Sequence, residues 1–128
     1  MSAMKASTRR LLPGLLVLSM LPAMAASDAA AGRDFVERFR AAAAAPDAAA
    51  LAELSALPFR YEGRELDREA FVSEAVPALF TPSVRRCLRR APTQTEGDRM
   101  VLWCKPYGFH LGPTRGGWRL IEFVADVD

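Results

Sequence analysis

The fold is decided by the stretch from Arg99 to Val124, which reads RMVLWCKPYGFHLGPTRGGWRLIEFV. Its first half, Arg99 to Leu111, is rich in aromatic and aliphatic residues and alternates in polarity, as half-buried strands do. The glycines and the proline of Gly112 to Gly117 predict a tight turn. Because Trp118 to Val124 resumes the strand pattern, we expect two long antiparallel strands joined by that turn.

A third long strand is expected just upstream, from Ser83 to Ala91. The apolar residues of this segment fit a helical stripe as well as a strand, and we interpret the segment as a strand. A loop from Pro92 to Gly97 would then return the chain and place Cys87 opposite Cys104. Cross-strand neighbours lie about 4.5–5.5 Å apart, a spacing that a disulfide can bridge.

Helical periodicity and a short β-hairpin fill the chain before these strands. Apolar residues recur at helical spacing in three segments, and Asp47 and Asp67 stand where the second and third would need an N-cap. Between these two helices, Glu62-Gly63 is a two-residue turn typical of a hairpin. In chain order these elements cover Asp34–Ala45, Asp47–Ala56, the hairpin Leu57–Leu66 and Asp67–Thr81. Helices followed by antiparallel strands predict an α+β fold, with the helices packed on a curved sheet.

Two local pieces of sequence add a family resemblance to this pattern. One is Gly63-Arg64-Glu65-Leu66-Asp67-Arg68-Glu69-Ala70-Phe71, a turn leading into the third helix, and the other is Gly116-Gly117-Trp118-Arg119-Leu120, at the start of the last strand. With the order of elements, they resemble the NTF2-like, cystatin-like cone family. The resemblance implies a conical domain with a pocket between sheet and helices. This family includes isomerases, dehydratases, binding modules and small secreted bacterial proteins, so the fold does not choose a function.

Residues 1–25 have the three parts of a secretory signal peptide. A basic start is followed by an apolar run from Leu11 to Leu21, and Ala23-Met24-Ala25 offers small residues to a signal peptidase. The apolar run is shorter than the roughly 20 residues that a spanning helix needs. We therefore expect cleavage after Ala25 and no membrane anchor afterwards.

Cleavage changes the charge and sets the compartment. The whole chain carries a formal net charge of +2, which falls to about −1 when the three basic residues of the signal peptide are lost. A nearly neutral domain lacks the basic surface that nucleic-acid partners require. We expect a loose leader over residues 26–32 and a single domain over residues 33–128. This domain would act in the periplasm or outside the cell.

Cys87 and Cys104 both survive cleavage. In an oxidising compartment, two cysteines in a small domain usually pair, so we predict a structural disulfide. A metal site would require three or four ligands, whereas the chain offers two cysteines and one histidine, His110. No metal and no other cofactor is expected.

Two residues could act as a general base. His110 is the single histidine, and Glu122 is the one acid inside a predicted strand core, where burial would favour its protonated form. The alternative role for His110 is a half-exposed strand residue. For Glu122 the alternatives are an outward direction or an ion pair with an arginine on the neighbouring strand.

Other candidate residues belong to a predicted pocket and to a charged patch. Tyr61 and Tyr107 would be polar handles for a guest in the cone, because tyrosine combines an apolar body with one hydroxyl. Trp103 and Glu122 complete the predicted ligand-binding set. The densest charge cluster could be an anion or acidic-partner patch, or an edge strand protected from pairing by its charge. It consists of Arg85, Arg86, Arg89 and Arg90.

Motifs that would identify an enzyme are missing from the sequence. No nucleophile elbow, phosphate loop or metal-ligand spacing is present, so no catalytic residue is assigned. We expect an exported binding or accessory domain for an apolar small ligand or a protein partner. One alternative is an NTF2-like isomerase or dehydratase that uses Glu122 or His110. Another is a secreted inhibitor or immunity-like protein that uses the arginines between Arg85 and Arg90.

Overall fold

Helices and one short hairpin come before a run of four antiparallel strands, so the fold is α+β, as the sequence predicts. The computed structural model describes the backbone of residues 15–125 and the side chains of residues 28–125. The basic start of the predicted signal peptide, together with the side chains of its apolar run and cleavage motif, lies outside these residues. The chain divides into two compact units, Met1–Ala30 and Ala31–Asp128, and the second contains the sheet.

The helices begin and end close to the predicted signals, with one exception. Asp47 and Asp67 cap the second and third helices, since their carboxylates accept hydrogen bonds from backbone N–H groups three residues later. The exception is the first helix, which begins upstream of Asp34 and continues through residues 26–32, where the sequence predicts a loose leader. The α-helices are α1 (Leu15–Ala44), α2 (Ala48–Glu53), α3 (Arg68–Ala70), α4 (Val76–Leu79) and α5 (Pro82–Leu88).

Gly32 shows why α1 can contain a glycine near the predicted leader. A Cβ atom on Gly32 would lie 2.8 Å from the Trp118 ring. The missing side chain therefore lets the helix backbone approach the last strand closely, which offsets the roughly 1 kcal/mol that glycine costs in a helix.

The predicted third helix is present in consecutive segments. A π-helical segment, Phe71–Ala75, separates α3 from α4. Pro77 is the second residue of α4, and a proline cannot donate to the carbonyl four residues earlier and clashes with it. A widened turn before Pro77 accommodates this clash.

The strands form two antiparallel sheets. The short hairpin of β1 and β2 turns at Glu62-Gly63, where both residues have positive φ, as a two-residue hairpin turn requires. The larger sheet is a meander with the order β3-β4-β5-β6. The strands are β1 (Phe59–Tyr61), β2 (Arg64–Leu66), β3 (Thr93–Glu96), β4 (Arg99–Cys104), β5 (Tyr107–Thr114) and β6 (Gly117–Ala125).

Two sequence interpretations of this sheet are wrong. Ser83–Ala91 is not a strand, because Thr81 accepts a hydrogen bond from the Val84 N–H and starts α5. The strand position beside β4 is taken by β3, in the segment for which the sequence predicts a loop. The expected single strand from Arg99 to Leu111 is two strands, because Pro106 has no N–H for a ladder and lies in a turn. The closing strand is confirmed.

The predicted disulfide is present, in a different setting. Cys87 and Cys104 are bonded, and their Cα atoms are 5.7 Å apart. Because Cys87 lies in α5 and not in a strand, the bond joins α5 to β4 instead of joining two neighbouring strands. The cross-strand partner of Trp103 in β5 is Gly108.

Candidate functional site on the outer face of the sheet

Aromatic side chains fill the space between the helices and the inner face of the sheet. The ring centroid of Phe39 lies 6.0 Å from those of Phe80 and Phe109, and Phe80 stacks on Phe109 at 5.4 Å. Phe59 contacts Phe71 at 5.1 Å. All five rings are buried. These rings occupy the centre of the domain.

Tyr61 and Tyr107, the predicted polar handles, lie together at one rim of this interior. Their rings flank Phe123 of β6, with centroid distances of 5.8 and 5.6 Å, and all three side chains are half-buried. Burial, followed by repulsion from the Glu62 carboxylate, raises the pKa of the Tyr61 phenol above its ordinary value. The structure thus brings the two tyrosines together and places them apart from Trp103 and Glu122.

Trp103 lies on the outer face of the sheet, away from the aromatic interior. Its neighbours on β4, Leu102 and Cys104, are buried, so the alternation of the strand turns Trp103 outward. The residue is 42% exposed. Its ring covers Gly108, where a Cβ atom would come within 2.5 Å of the indole. Trp103 therefore lies exposed over Gly108 on the outer face, whereas the sequence predicts that it lines a pocket.

A bulge in β6 places Glu122 on the same outer face. Leu111 pairs with Leu120 while His110 pairs with Glu122, so Ile121 is an extra residue on β6. The bulge reverses the side-chain alternation after Leu120. As a result, Glu122 points away from the interior, whereas the sequence alternation allowed an inward direction.

Glu122 is held by an ion pair with Arg99 of β4. Arg99 Nη1 donates to Glu122 Oε2 at 2.5 Å, across the intervening strand β5. Gly112 of β5 provides the room for this contact, because a Cβ atom there would lie 3.2 Å from Arg99 Cγ. The ion-pair role considered for Glu122 is therefore found, with an arginine two strands away.

His110 stands between Trp103 and Glu122. Its ring and that of Trp103 meet edge to face, with centroids 6.4 Å apart, and Glu122 is directly opposite across β5 and β6. His110 Nδ1 is buried and has no hydrogen-bond partner among residues 28–125. Together, Trp103, His110, Glu122 and Arg99 form what we call the outer-face cluster.

The outer-face cluster has the features of a binding surface more than those of a catalytic site. It lies on an open sheet surface, whereas substrate sites are usually concave and exclude water. Its one carboxylate, Glu122, is already engaged by a guanidinium. Tryptophan and arginine, in contrast, are the residue types most enriched among the energetic anchors of protein interfaces.

The arginine cluster, defined as Arg85, Arg86, Arg89 and Arg90, lies on α5 and the turn after it. Arg85 is half-buried and the other three are exposed. These three, with Cys87, line a surface hollow of about 330 Å³. Because the segment is helical, protection of an edge strand no longer explains the charge.

Neither a metal-binding group of side chains nor a membrane-spanning helix is found in the described part of the chain. Between residues 28 and 125, no group of three or more histidine, cysteine or acidic side chains is placed to hold a metal ion. Among the helices that the structure describes, none is long and apolar enough to cross a membrane.

Sequence reasoning missed Arg99, Gly108 and Gly112, which build the outer-face cluster. The signal that could have found Gly108 is its position inside a predicted strand, where glycine often marks the close approach of another group. Gly112 carries no such signal, because the sequence assigns it to the predicted turn. Arg99 carries no local signal, because its partner depends on the register of three strands.

Comparison of the chain with protein-family models, with curated proteins and with solved structures found no match. Function is therefore inferred from the chemistry of the site.

Proposed function

We propose that this chain is an exported binding module that holds a protein partner on the outer face of its four-stranded sheet. The observation that carries the proposal is Trp103, a large indole exposed on a sheet surface and seated over Gly108. Leaving so much apolar area in water costs free energy that a partner would recover on binding. The Arg99–Glu122 ion pair and His110 supply a polar rim around it.

The filled interior supports a protein partner over an apolar small ligand. The five buried phenylalanine rings take up the space that a guest in the cone would need. The isomerase or dehydratase alternative gains no support from the geometry, because His110 and Glu122 meet on an open surface. We also propose that the domain is an NTF2-like cone, on the strength of helices packed against a four-stranded antiparallel sheet.

Site-specific crosslinking in the native cell envelope tests the proposal. A photoreactive amino acid is placed at Val124, which follows Glu122 on the outer face, or at Arg60, an exposed residue of β1. The proposal expects a discrete crosslinked product from position 124 and none of that mass from position 60. Trp103→Ala, introduced beside the probe at 124, should reduce that product at least about tenfold, as loss of an anchor residue does.

Two results would overturn the proposal. One is the same set of products from both probe positions, and the other is a product from position 124 that Trp103→Ala leaves unchanged. The Trp103→Ala protein should retain its thermal unfolding midpoint, because the indole is not part of the core, so a folding defect can be separated from a lost contact.

A further inference from the structure

The end of α5 and the turn that follows it present three arginines on one side of the domain. Arg86, Arg89 and Arg90 have the spacing i, i+3 and i+4, which puts side chains on one helical face. All three are exposed, and all three line the hollow beside Cys87. Lys105 adds a further exposed cation close by, since it follows Cys104, the disulfide partner of Cys87.

These three arginines differ from several others in the domain, whose charges form ion pairs with acidic side chains. None of the ion pairs found between residues 28 and 125 involves the arginine cluster. The pairs engage Arg38, Arg40, Arg64, Arg68 and Arg99. Like charges at i+3 and i+4 repel, and the negative end of the short helix offsets only part of that cost. A patch of this kind favours an external anion.

The backbone under the patch is fixed from two sides. The disulfide ties Cys87 to β4, and Arg40 Nη1 of α1 donates to the Leu88 carbonyl at 2.6 Å. A guanidinium carried on a fixed backbone loses less freedom on binding, which improves affinity without new contacts.

The donors available at this turn suit carboxylates of a protein better than a phosphate group. Phosphate sites commonly use several free backbone N–H groups. In this turn the N–H groups of Arg90 and Ala91 both donate to the Cys87 carbonyl and are not free. The arginines, in contrast, offer planar forks that match carboxylates and lie spread over an exposed surface.

The hollow lies beside the end of β4 that carries Trp103, since Cys87 Sγ is 3.6 Å from the backbone oxygen of Trp103. The Cys104 side chain points inward and the indole points outward, so a partner that covers both surfaces would pass around this end of the strand. We propose that the arginine cluster binds an acidic segment of the same protein partner that covers Trp103. This inference rests on the proposed function for the identity of the partner. Whether the arginine cluster binds acidic segments is tested separately.

Fluorescence anisotropy with a labelled oligoglutamate peptide measures the charge requirement. Binding is measured at about 10 mM ionic strength, where charges act over about 30 Å. The variant Arg86→Glu/Arg89→Glu/Arg90→Glu should weaken binding at least about tenfold. A matched control, Arg33→Glu/Arg60→Glu/Arg115→Glu, changes net charge equally at exposed arginines elsewhere and should weaken it less than about threefold.

Three results would overturn the inference: no binding of the peptide, an equal loss in both triple variants, or tighter binding of tripolyphosphate than of oligoglutamate through the same arginines. The last would assign the patch to phosphate groups.

The crosslinking experiment separates the two proposals. If the product from position 124 depends on Trp103 but survives the Arg86/Arg89/Arg90 reversal, the outer-face function stands and the acidic segment is rejected. If the peptide result holds and no product forms, the outer-face function is rejected and the anion patch stands.

Discussion

At the scale of single residues, Gly108 controls where Trp103 lies. A Cβ atom at this position would come within 2.5 Å of the indole, which is exposed and free to turn away. Gly108→Ala should therefore displace the ring while changing the free energy of unfolding by no more than about 1 kcal/mol. In a Trp118→Phe background, acrylamide should then quench Trp103 fluorescence more strongly. Gly116→Ala, in the β5–β6 turn, is the control and should leave quenching unchanged.

Tyr61 leads to a residue-scale prediction about pH. Its pKa is raised above the ordinary value of 10.0 by burial first and by the Glu62 carboxylate second. The folded protein thus holds this proton more tightly than the unfolded chain does. The stabilisation is fully present below pH 10 and is lost as the pH rises through the folded pKa. Ultraviolet titration of the phenols should show a tyrosine ionising above the ordinary pKa, and Tyr61→Phe should remove that step. Ionisation of Tyr61 at its ordinary pKa would contradict the effect of burial on this phenol.

At the scale of elements, local signals are sufficient where a cap or turn residue decides the structure. Asp47, Asp67 and Glu62-Gly63 act where the sequence places them, because each works through atoms a few residues away. Ser83–Ala91 is ambiguous in sequence because its apolar residues satisfy both periods. Thr81-Pro82 ends the third helix, but it also supplies the N-cap and the first residue of α5. This second role makes the segment after it helical.

Phe71 tests whether the third helix is packed as the structure shows. Its ring is buried and contacts Phe59 of β1, so Phe71→Ala should lower the free energy of unfolding by about 3–5 kcal/mol. The neighbouring Val72 is half-buried, and Val72→Ala should cost clearly less. Chemical denaturation measures both variants. A loss below about 1 kcal/mol for Phe71→Ala would mean that this helix is not part of the core.

At the scale of the whole molecule, the sequence predicts which residues are unusual better than it predicts where they meet. Trp103, His110 and Glu122 each stand out in the sequence as single residues. Their meeting on the outer face depends on the bulge at Ile121 and on the turn at Pro106, which set the direction of every side chain after them. A shift of strand register of this kind cannot be recognised from the alternation of polar and apolar residues along a single strand.

Export is the remaining prediction at the scale of the whole chain. Small residues at Ala23 and Ala25 are what a signal peptidase requires, so the exported protein should begin at Ala26 in intact-mass measurement. Ala25→Phe should block cleavage, whereas Met24→Leu, at the position between them, should not. Among residues 28–125, the first buried side chain of the core is that of Phe35, downstream of the cleavage site. Cleavage should therefore leave the denaturant midpoint of unfolding unchanged, and exported protein that keeps Met1 would reject the assignment.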